Sequence, residues 1–162
     1  MRIIKKALNV ENCGNFIRVG TDAMSIRIWF VTDDIIRMRC GFDDSFAERS
    51  YTLALTAWDD DFDEIMKKYR HKVEPKRARE IKEDAESFAI IGNKLNLKIY
   101  KDPFAVEITD KNGCILHRDQ PWLGYREDSN KRHLHSIEIN REDRFYGFGE
   151  HTGKLNKNRE FL

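Results

Sequence analysis

Alternating apolar and polar residues recur along most of the chain. Every second residue is apolar from 24 to 30, the alternation returns at 35–40, and a shorter run occupies 15–19. A period of two is typical of a half-buried strand, because successive side chains point to opposite faces. Thr32-Asp33-Asp34 lies between the two longer runs, and Asp favours turns by hydrogen-bonding nearby backbone groups. The pattern predicts a hairpin with strands at 24–32 and 35–40.

The second half of the chain repeats this pattern at short intervals. Gly92-Asn93 and Asp110-Lys111-Asn112-Gly113 have turn composition, and Asp102-Pro103 interrupts a strand pattern. Short strands with turns every eight to twelve residues indicate an all-β fold, here an antiparallel β-sandwich of about ten strands. The strands predicted in this half lie at 88–91, 94–99, 104–109, 114–117 and 133–140.

The middle of the chain has a different composition. A strand is predicted at 51–58, and most side chains from 59 to 86 are charged. Apolar residues at i, i+3, i+4 and i+7 predict one short amphipathic helix over 61–70, with acids before it and bases after it. Pro75 ends any helix that reaches it, and we expect a strand rather than a second helix over 75–86. Such mixed charge indicates a solvated excursion in preference to a docking surface.

Composition limits the classes of function. The chain has 162 residues, of which 40% are hydrophobic and 35% charged, with a net charge of +1. This balance is typical of a globular protein and gives no electrostatic reason to expect nucleic acid as a partner. The chain contains neither an apolar run that could span a membrane nor an N-terminal secretory signal, so a cytoplasmic location is predicted.

Metal-ligating residue types are present but scattered. Cys13, Cys40 and Cys114 are far apart and odd in number, which suits a reducing compartment. His133 and His135 fall on one face of a predicted strand, a geometry that could hold a metal. No third or fourth ligand follows at a useful spacing, so neither a metal nor another cofactor is predicted.

Two aromatic residues flank Gly124 in a polar segment. Trp122 and Tyr125 could stack on a sugar ring, because a pyranose face is apolar. Packing at the edge of the sandwich explains them equally simply, and it is the favoured interpretation.

The segment from Arg144 to Leu162 carries the most specific motif. Its sequence RFYGFGEHTGKLNK resembles the FYGLGE-TG-L signature of glycoside hydrolase family 31, the α-glucosidases and α-xylosidases, with Phe148 in place of the usual leucine. Two weaker phrases, VTDDIIR at 31–37 and KDPFAVEITDKNGCILHRD at 101–119, resemble parts of the same family in the same order.

The resemblance implies a fold and an activity. Residues 1–143 would form an N-terminal β-sandwich of the galactose-mutarotase type. Residues 144–162 would close it and begin the connection to a (β/α)8 catalytic barrel that this chain does not include. In the family a pair of barrel aspartates hydrolyses terminal α-linked sugars of oligosaccharides with retention. No catalytic residue is therefore assigned here, and the chain alone is predicted to be inactive.

The same resemblance suggests roles for two polar residues. Arg144 and Glu150 are nearest the expected boundary with the barrel, and we expect them to support the joint between the two domains. Two alternatives belong to other classes of protein. One is a stand-alone sugar-binding module that uses Trp122 and Tyr125. The other is a free mutarotase with His133 or His135 as acid and Glu150 as base, although the motifs around these residues do not resemble that family.

Overall fold

The structure is a computed structural model that describes residues 1–14, 16–42, 80–146 and Asn156. Within these ranges the chain forms strands and no helix. The strands are β1 (Arg2–Ile3), β2 (Ala7–Asn12), β3 (Ile17–Thr21), β4 (Met24–Thr32), β5 (Ile35–Phe42), β6 (Glu80–Glu83), β7 (Ser87–Ile91), β8 (Leu95–Lys101), β9 (Phe104–Asp110), β10 (Ile115–Arg118), β11 (Tyr125–Glu127) and β12 (His133–His135).

The described strands form three antiparallel sheets. One has the order β2-β3-β4-β5, a second has the order β10-β9-β8-β7-β6, and a third has the order β1-β11-β12. In the first two sheets every neighbour in space is also a neighbour in sequence, as hairpin connections require. The result is an all-β sandwich.

One apolar core lies between the two larger sheets. The alternation in β4 places Met24, Ile26, Ile28 and Phe30 on a single face, and all four are buried. Because successive residues of a strand face opposite sides, this confirms the predicted register of the hairpin. The other sheet contributes buried residues of β7, β8 and β9, namely Phe88, Ile90, Leu97, Ile99, Phe104 and Val106.

The opposite face of β4 is covered at one position. Trp29 is 3% exposed, its ring centroid lies 5.6 Å from that of Phe16, and the Arg37 guanidinium lies 5.0 Å from the Trp29 ring centroid. Burial, followed by the neighbouring positive charge of Arg39, lowers the pKa of Arg37 to about 10. The half-buried strand predicted from the alternation is thus covered on both faces here.

Two hairpin turns join the larger sheets at one end. Asn93 Nδ2 donates to Asp33 Oδ1 at 2.9 Å, and Lys94 Nζ contacts Asp34 Oδ2 at the same distance. Beside them, a Cβ placed on Gly92 would lie 2.3 Å from the carbonyl oxygen of Leu95 and 2.9 Å from Phe30 Cε1. Glycine is therefore required sterically at this turn.

Most of the predicted strands are confirmed, with small differences at their ends. The strand expected at 15–19 occupies Ile17–Thr21, and the region 75–86 contains β6 from Glu80, which pairs with β7. The strand expected at 51–58, the helix expected at 61–70 and the positions 75–79 lie outside the described residues. Within the described ranges no helix is long and apolar enough to cross a membrane.

The strand predicted at 133–140 is wrong after His135. Beyond that residue, Ile137 forms an isolated bridge with Asp119, and the Ser136 N–H donates to the carbonyl of Gly124. Ile137 and Ile139 are 39% and 49% exposed, so the alternation continues without a buried face to receive it. The alternating residues at 136–140 therefore do not extend β12.

Candidate functional site

Two histidines converge on one buried carboxylate. His117 Nε2 lies 2.9 Å from Asp119 Oδ1, and His135 Nε2 lies 2.7 Å from the same oxygen. Asp119 is 0% exposed, whereas the side chains of His117 and His135 are 27% and 38% exposed. The group therefore has a buried anionic centre and an outer side that solvent reaches.

The backbone of β9 fixes the position of Asp119. The Asp119 N–H donates to the carbonyl of Val106 at 2.8 Å, and the Val106 N–H donates to Asp119 Oδ2 at 2.9 Å. One carboxylate oxygen is thus held by the sheet while the other faces the imidazoles. A register irregularity between Ile115 and His117 precedes the site. Such irregularities redirect side chains at the edges of sheets.

The His135 ring is held by aromatic packing. It stacks on Tyr125 with ring centroids 4.2 Å apart and an interplanar angle of 16°. Tyr125 in turn meets Phe104 edge to face at 5.9 Å, and Phe104 is 1% exposed. The hydrophobic core therefore sets the orientation of one imidazole.

The environment of Asp119 favours its ionised form. Burial disfavours its ionised form, but hydrogen bonds from His117 and His135 outweigh burial and lower the pKa of Asp119. Burial, followed by the charge of Asp119, raises the pKa of Cys40 to about 12 and raises that of the Tyr125 phenol as well. At neutral pH the thiol and the phenol therefore remain protonated beside a carboxylate.

A groove of about 560 Å³ adjoins the site. Tyr100, Arg118 and Glu138 are among its lining residues. Arg118 donates from Nε to Glu107 Oε2 at 2.8 Å, and Tyr100 donates its hydroxyl hydrogen to the same oxygen at 3.3 Å. The pKa of Arg118 is raised, chiefly by its hydrogen bond to Glu107. The groove thus combines an aromatic ring with fixed polar groups.

The candidate site residues predicted from the sequence have different surroundings in the part of the chain that the structure describes. Trp122 is 51% exposed and has a φ of 66°, in the left-handed region that is uncommon for non-glycine residues. Tyr125 lies against the core, where Phe104 and His135 contact its ring. Arg144 donates from Nη1 to the carbonyls of 141, 142 and 143 at 3.4, 2.7 and 3.2 Å. Glu150 lies outside the described residues.

The two histidines of the His133-Leu134-His135 motif contact different partners. His133 Nε2 lies 3.4 Å from Glu127 Oε2, whereas His135 joins His117 and Asp119. The partners of His135 lie 16 and 18 positions earlier in the chain, so the short His-Leu-His spacing does not reveal them. The useful signal was His117-Arg118-Asp119, because an i, i+2 pair on a strand shares one face.

Residues 25–160 match the family described as the glycosyl hydrolase 31 N-terminal galactose mutarotase-like domain. The chain belongs to this family. The resemblance read from the FYGFGE motif is thereby confirmed, and so is the mutarotase-like β-sandwich. No curated protein matches the chain significantly.

Solved structures of larger proteins share this fold. A family 31 dextranase from Flavobacterium johnsoniae, solved with isomaltotriose, superposes with a TM-score of 0.75 at 19% identity; the match covers 97% of this chain and 18% of the dextranase chain. An uncharacterized protein from Listeria monocytogenes gives 0.69 at 15% identity, covering 96% and 14% of the two chains. The cycloalternan-forming enzyme of that organism, solved with a pentasaccharide substrate, gives 0.63 at 15% identity with the same coverage. This chain thus spans less than a fifth of the length of these neighbours.

Proposed function

We propose that the chain is the non-catalytic N-terminal domain of a retaining α-glycosidase, which removes terminal α-linked sugars from oligosaccharides in the cytoplasm. The domain supports a (β/α)8 catalytic barrel of the same polypeptide and part of the substrate rim. The observation that carries this proposal is the match to the family 31 N-terminal domain over residues 25–160. The much greater length of the dextranase and of the cycloalternan-forming enzyme supports a further catalytic part.

Exposed apolar residues are concentrated in the last part of the described chain. Among the described residues, eight of the eleven exposed large hydrophobic side chains lie between 115 and 146, the segment that leads into the FYGFGE motif. Exposed apolar side chains that form a contiguous patch mark interaction surfaces. A catalytic barrel that follows this segment is the occupant we propose for that surface. Those residues are Ile115, Leu116, Trp122, Leu123, Leu134, Ile137, Ile139 and Tyr146.

The chain alone is not expected to hydrolyse glycosides. Retaining hydrolysis needs two carboxyl groups about 5 Å apart on either side of the scissile bond, one of them protonated at the start. Asp119 is the fully buried carboxylate among the described residues, yet its pKa is lowered and two imidazoles contact its outward oxygen. Such a group is a poor proton donor.

The proposal is tested by comparing two proteins. The complete gene product that contains this chain and the isolated 162-residue chain are assayed with p-nitrophenyl α-glucoside, p-nitrophenyl α-xyloside and isomaltotriose. We expect the complete product to turn over at least one of these substrates and the isolated chain to turn over none. Hydrolysis by the isolated chain that a substitution within residues 1–162 abolishes would reject the assignment as a non-catalytic domain.

A carbohydrate-binding module is a second candidate. Trp122 is half exposed and follows Pro121, which lines the groove described above. In this case maltose would change the tryptophan fluorescence of the protein, and Trp122→Ala would abolish that change. Trp29 is buried and provides an internal reference, so Trp29→Phe should retain the response. A response that persists in Trp122→Ala would exclude Trp122 as the sugar platform.

A further inference from the structure

We propose that His117, Asp119 and His135 form a binding site for a transition-metal dication, with Zn²⁺ as the best-suited ion. Each residue offers one ligand atom, and the three atoms lie within 4.8 Å of one another. This inference is independent of the glycosidase proposal, because it assigns a function to residues that the proposed domain role does not use.

The distances between the three side chains are close to those of a metal site. Ligand atoms that bind zinc at about 2.0–2.2 Å in a tetrahedral arrangement lie about 3.3 Å from one another. The Nε2 atoms of His117 and His135 lie 2.9 Å and 2.7 Å from Asp119 Oδ1. The two imidazole nitrogens are no more than 4.8 Å apart, so rotations of the imidazole rings would gather the three atoms around a common ion.

The chemistry of the donors selects the class of metal. Two imidazole nitrogens and one carboxylate oxygen suit zinc and neighbouring transition metals, whereas calcium and magnesium prefer sites built from oxygen. The carboxylate also supplies a negative charge that offsets part of the charge of the ion. Because both histidines are partly exposed, an ion can enter from solvent and a water molecule can complete its coordination.

Groups behind two of the three ligands, Asp119 and His135, already hold them in place. The Val106 N–H binds the second oxygen of Asp119 at 2.9 Å, and Tyr125 stacks on the ring of His135 at 4.2 Å. Outer partners of this kind orient metal ligands and so increase affinity. The site would therefore lose little side-chain entropy when the metal binds.

A bound ion would connect two sheets. His117 lies on β10, at the edge of the five-stranded sheet, and Asp119 follows that strand directly, while His135 lies on β12 of the three-stranded sheet. An ion that binds the folded arrangement and not the unfolded chain stabilises the fold, and this stabilisation grows with the logarithm of the free ion concentration once that concentration exceeds the Kd. Zinc should therefore raise the melting temperature as its concentration increases.

The test uses the complete gene product, stripped of metal with a chelator and titrated with zinc chloride in a calorimeter. We expect one zinc per chain at this site, a higher melting temperature with zinc, and no comparable effect of magnesium or calcium. Cobalt chloride is a second probe, because Co²⁺ bound to nitrogen and oxygen ligands in a tetrahedral site absorbs visible light. Should a downstream catalytic part bind zinc too, the variants below identify the contribution of this site.

His117→Gln and His135→Gln each remove one ligand, and His133→Gln is the matched control on the same strand. Each ligand variant should weaken zinc binding by more than the roughly 10–100-fold that loss of an outer partner costs. The control should bind zinc as the unmodified protein does. The melting temperature without metal shows whether each variant still folds, and two different ligand variants guard against the misfolding of one. Absence of zinc binding at this site, or an equal loss in His133→Gln, would mean that the three side chains form a hydrogen-bonded cluster only and would overturn the proposal.

Discussion

Arg118 on β10 and Glu107 on β9 are partners in the strand register, and Arg118 donates to Glu107 Oε2 from both Nε, at 2.8 Å, and Nη2, at 2.5 Å. Glu107 is 8% exposed, so this ion pair covers a carboxylate that solvent barely reaches. Such a carboxylate depends on its partner, because a buried charged group without one is strongly disfavoured.

Arg118→Leu should destabilise the fold by about 1–3 kcal/mol, since it leaves the Glu107 carboxylate without its main donor. Glu107→Leu should lower the free energy of unfolding by less than Arg118→Leu does. The reason is that Arg118, left without Glu107, is 38% exposed to solvent and also lies 3.9 Å from Glu138. The double variant should cost less than the sum of the two, because no buried charge is left unpaired. Urea unfolding of the three variants measures this, and strict additivity would contradict it.

Gly92→Ala should destabilise the protein by about 1–3 kcal/mol, because the new methyl group would overlap the Leu95 carbonyl oxygen and the Phe30 ring. Gly113 provides the comparison. It has a φ of +83°, but a Cβ there would have no heavy atom within 4 Å. Gly113→Ala should therefore cost only the left-handed strain, about 1 kcal/mol. Equal losses of stability at the two positions in thermal unfolding would show that the overlaps with Leu95 and Phe30 are unimportant.

Glu127 should make stability depend on pH below neutrality. Burial opposes its ionisation, but hydrogen bonds from Arg2 and Lys131 outweigh burial and hold the pKa of Glu127 below its ordinary value of 4.5. A lowered pKa in the folded state stabilises the protein above the unfolded pKa, and this contribution is lost as the pH falls through the folded one. Glu127→Gln should therefore melt at a lower temperature than the unmodified protein at pH 7. This difference in melting temperature should become smaller below about pH 4.5. A difference in melting temperature that stays constant between pH 7 and pH 3 would contradict the lowered pKa of Glu127 in the folded state.

Arg144→Ala should lower the melting temperature of the complete gene product without changing KM for a glycoside substrate. The guanidinium of Arg144 binds three successive backbone carbonyls, so the substitution should cost about 1 kcal/mol by freeing that turn. Arg144→Lys should recover much of this loss, because all three contacts come from one nitrogen, Nη1, and a lysine ammonium also carries three donor hydrogens. Glu150→Gln, outside the described residues, should follow the same pattern if it also supports the joint. A raised KM with unchanged stability would instead assign these residues to substrate binding.

The strands were predictable because the residues that indicate each strand and turn are adjacent in sequence. The alternation in β4 and the turn residues Asp33 and Asp34 are adjacent in sequence, and each specifies its own conformation before any distant contact forms. The same locality explains the error after His135. Ile137 and Ile139 alternate with polar residues as a strand would, but the pairing is limited to the bridge between Ile137 and Asp119, and alternation cannot reveal how far pairing extends.

The candidate site was not predictable from spacing because it depends on tertiary contacts. His135 meets His117 and Asp119 through the placement of two different sheets, and no short motif encodes that meeting. The burial of Asp119 was equally hidden, because an aspartate after a strand usually indicates a solvated turn. The family, by contrast, was readable from the FYGFGE motif, whose residues are contiguous.

The pairing of β1 with β11 has a consequence for how the chain reaches its folded state. Arg2 and Ile3 pair with Glu127 and Arg126, so β1 cannot form its ladder until about 120 further residues have been synthesised. Contacts between such distant parts of a chain form late and slow the search for the native arrangement. Ile4, 1% exposed, donates its N–H to the carbonyl of Tyr125, so its final position also depends on this late pairing, and chaperones that act during synthesis can influence the yield of folded protein.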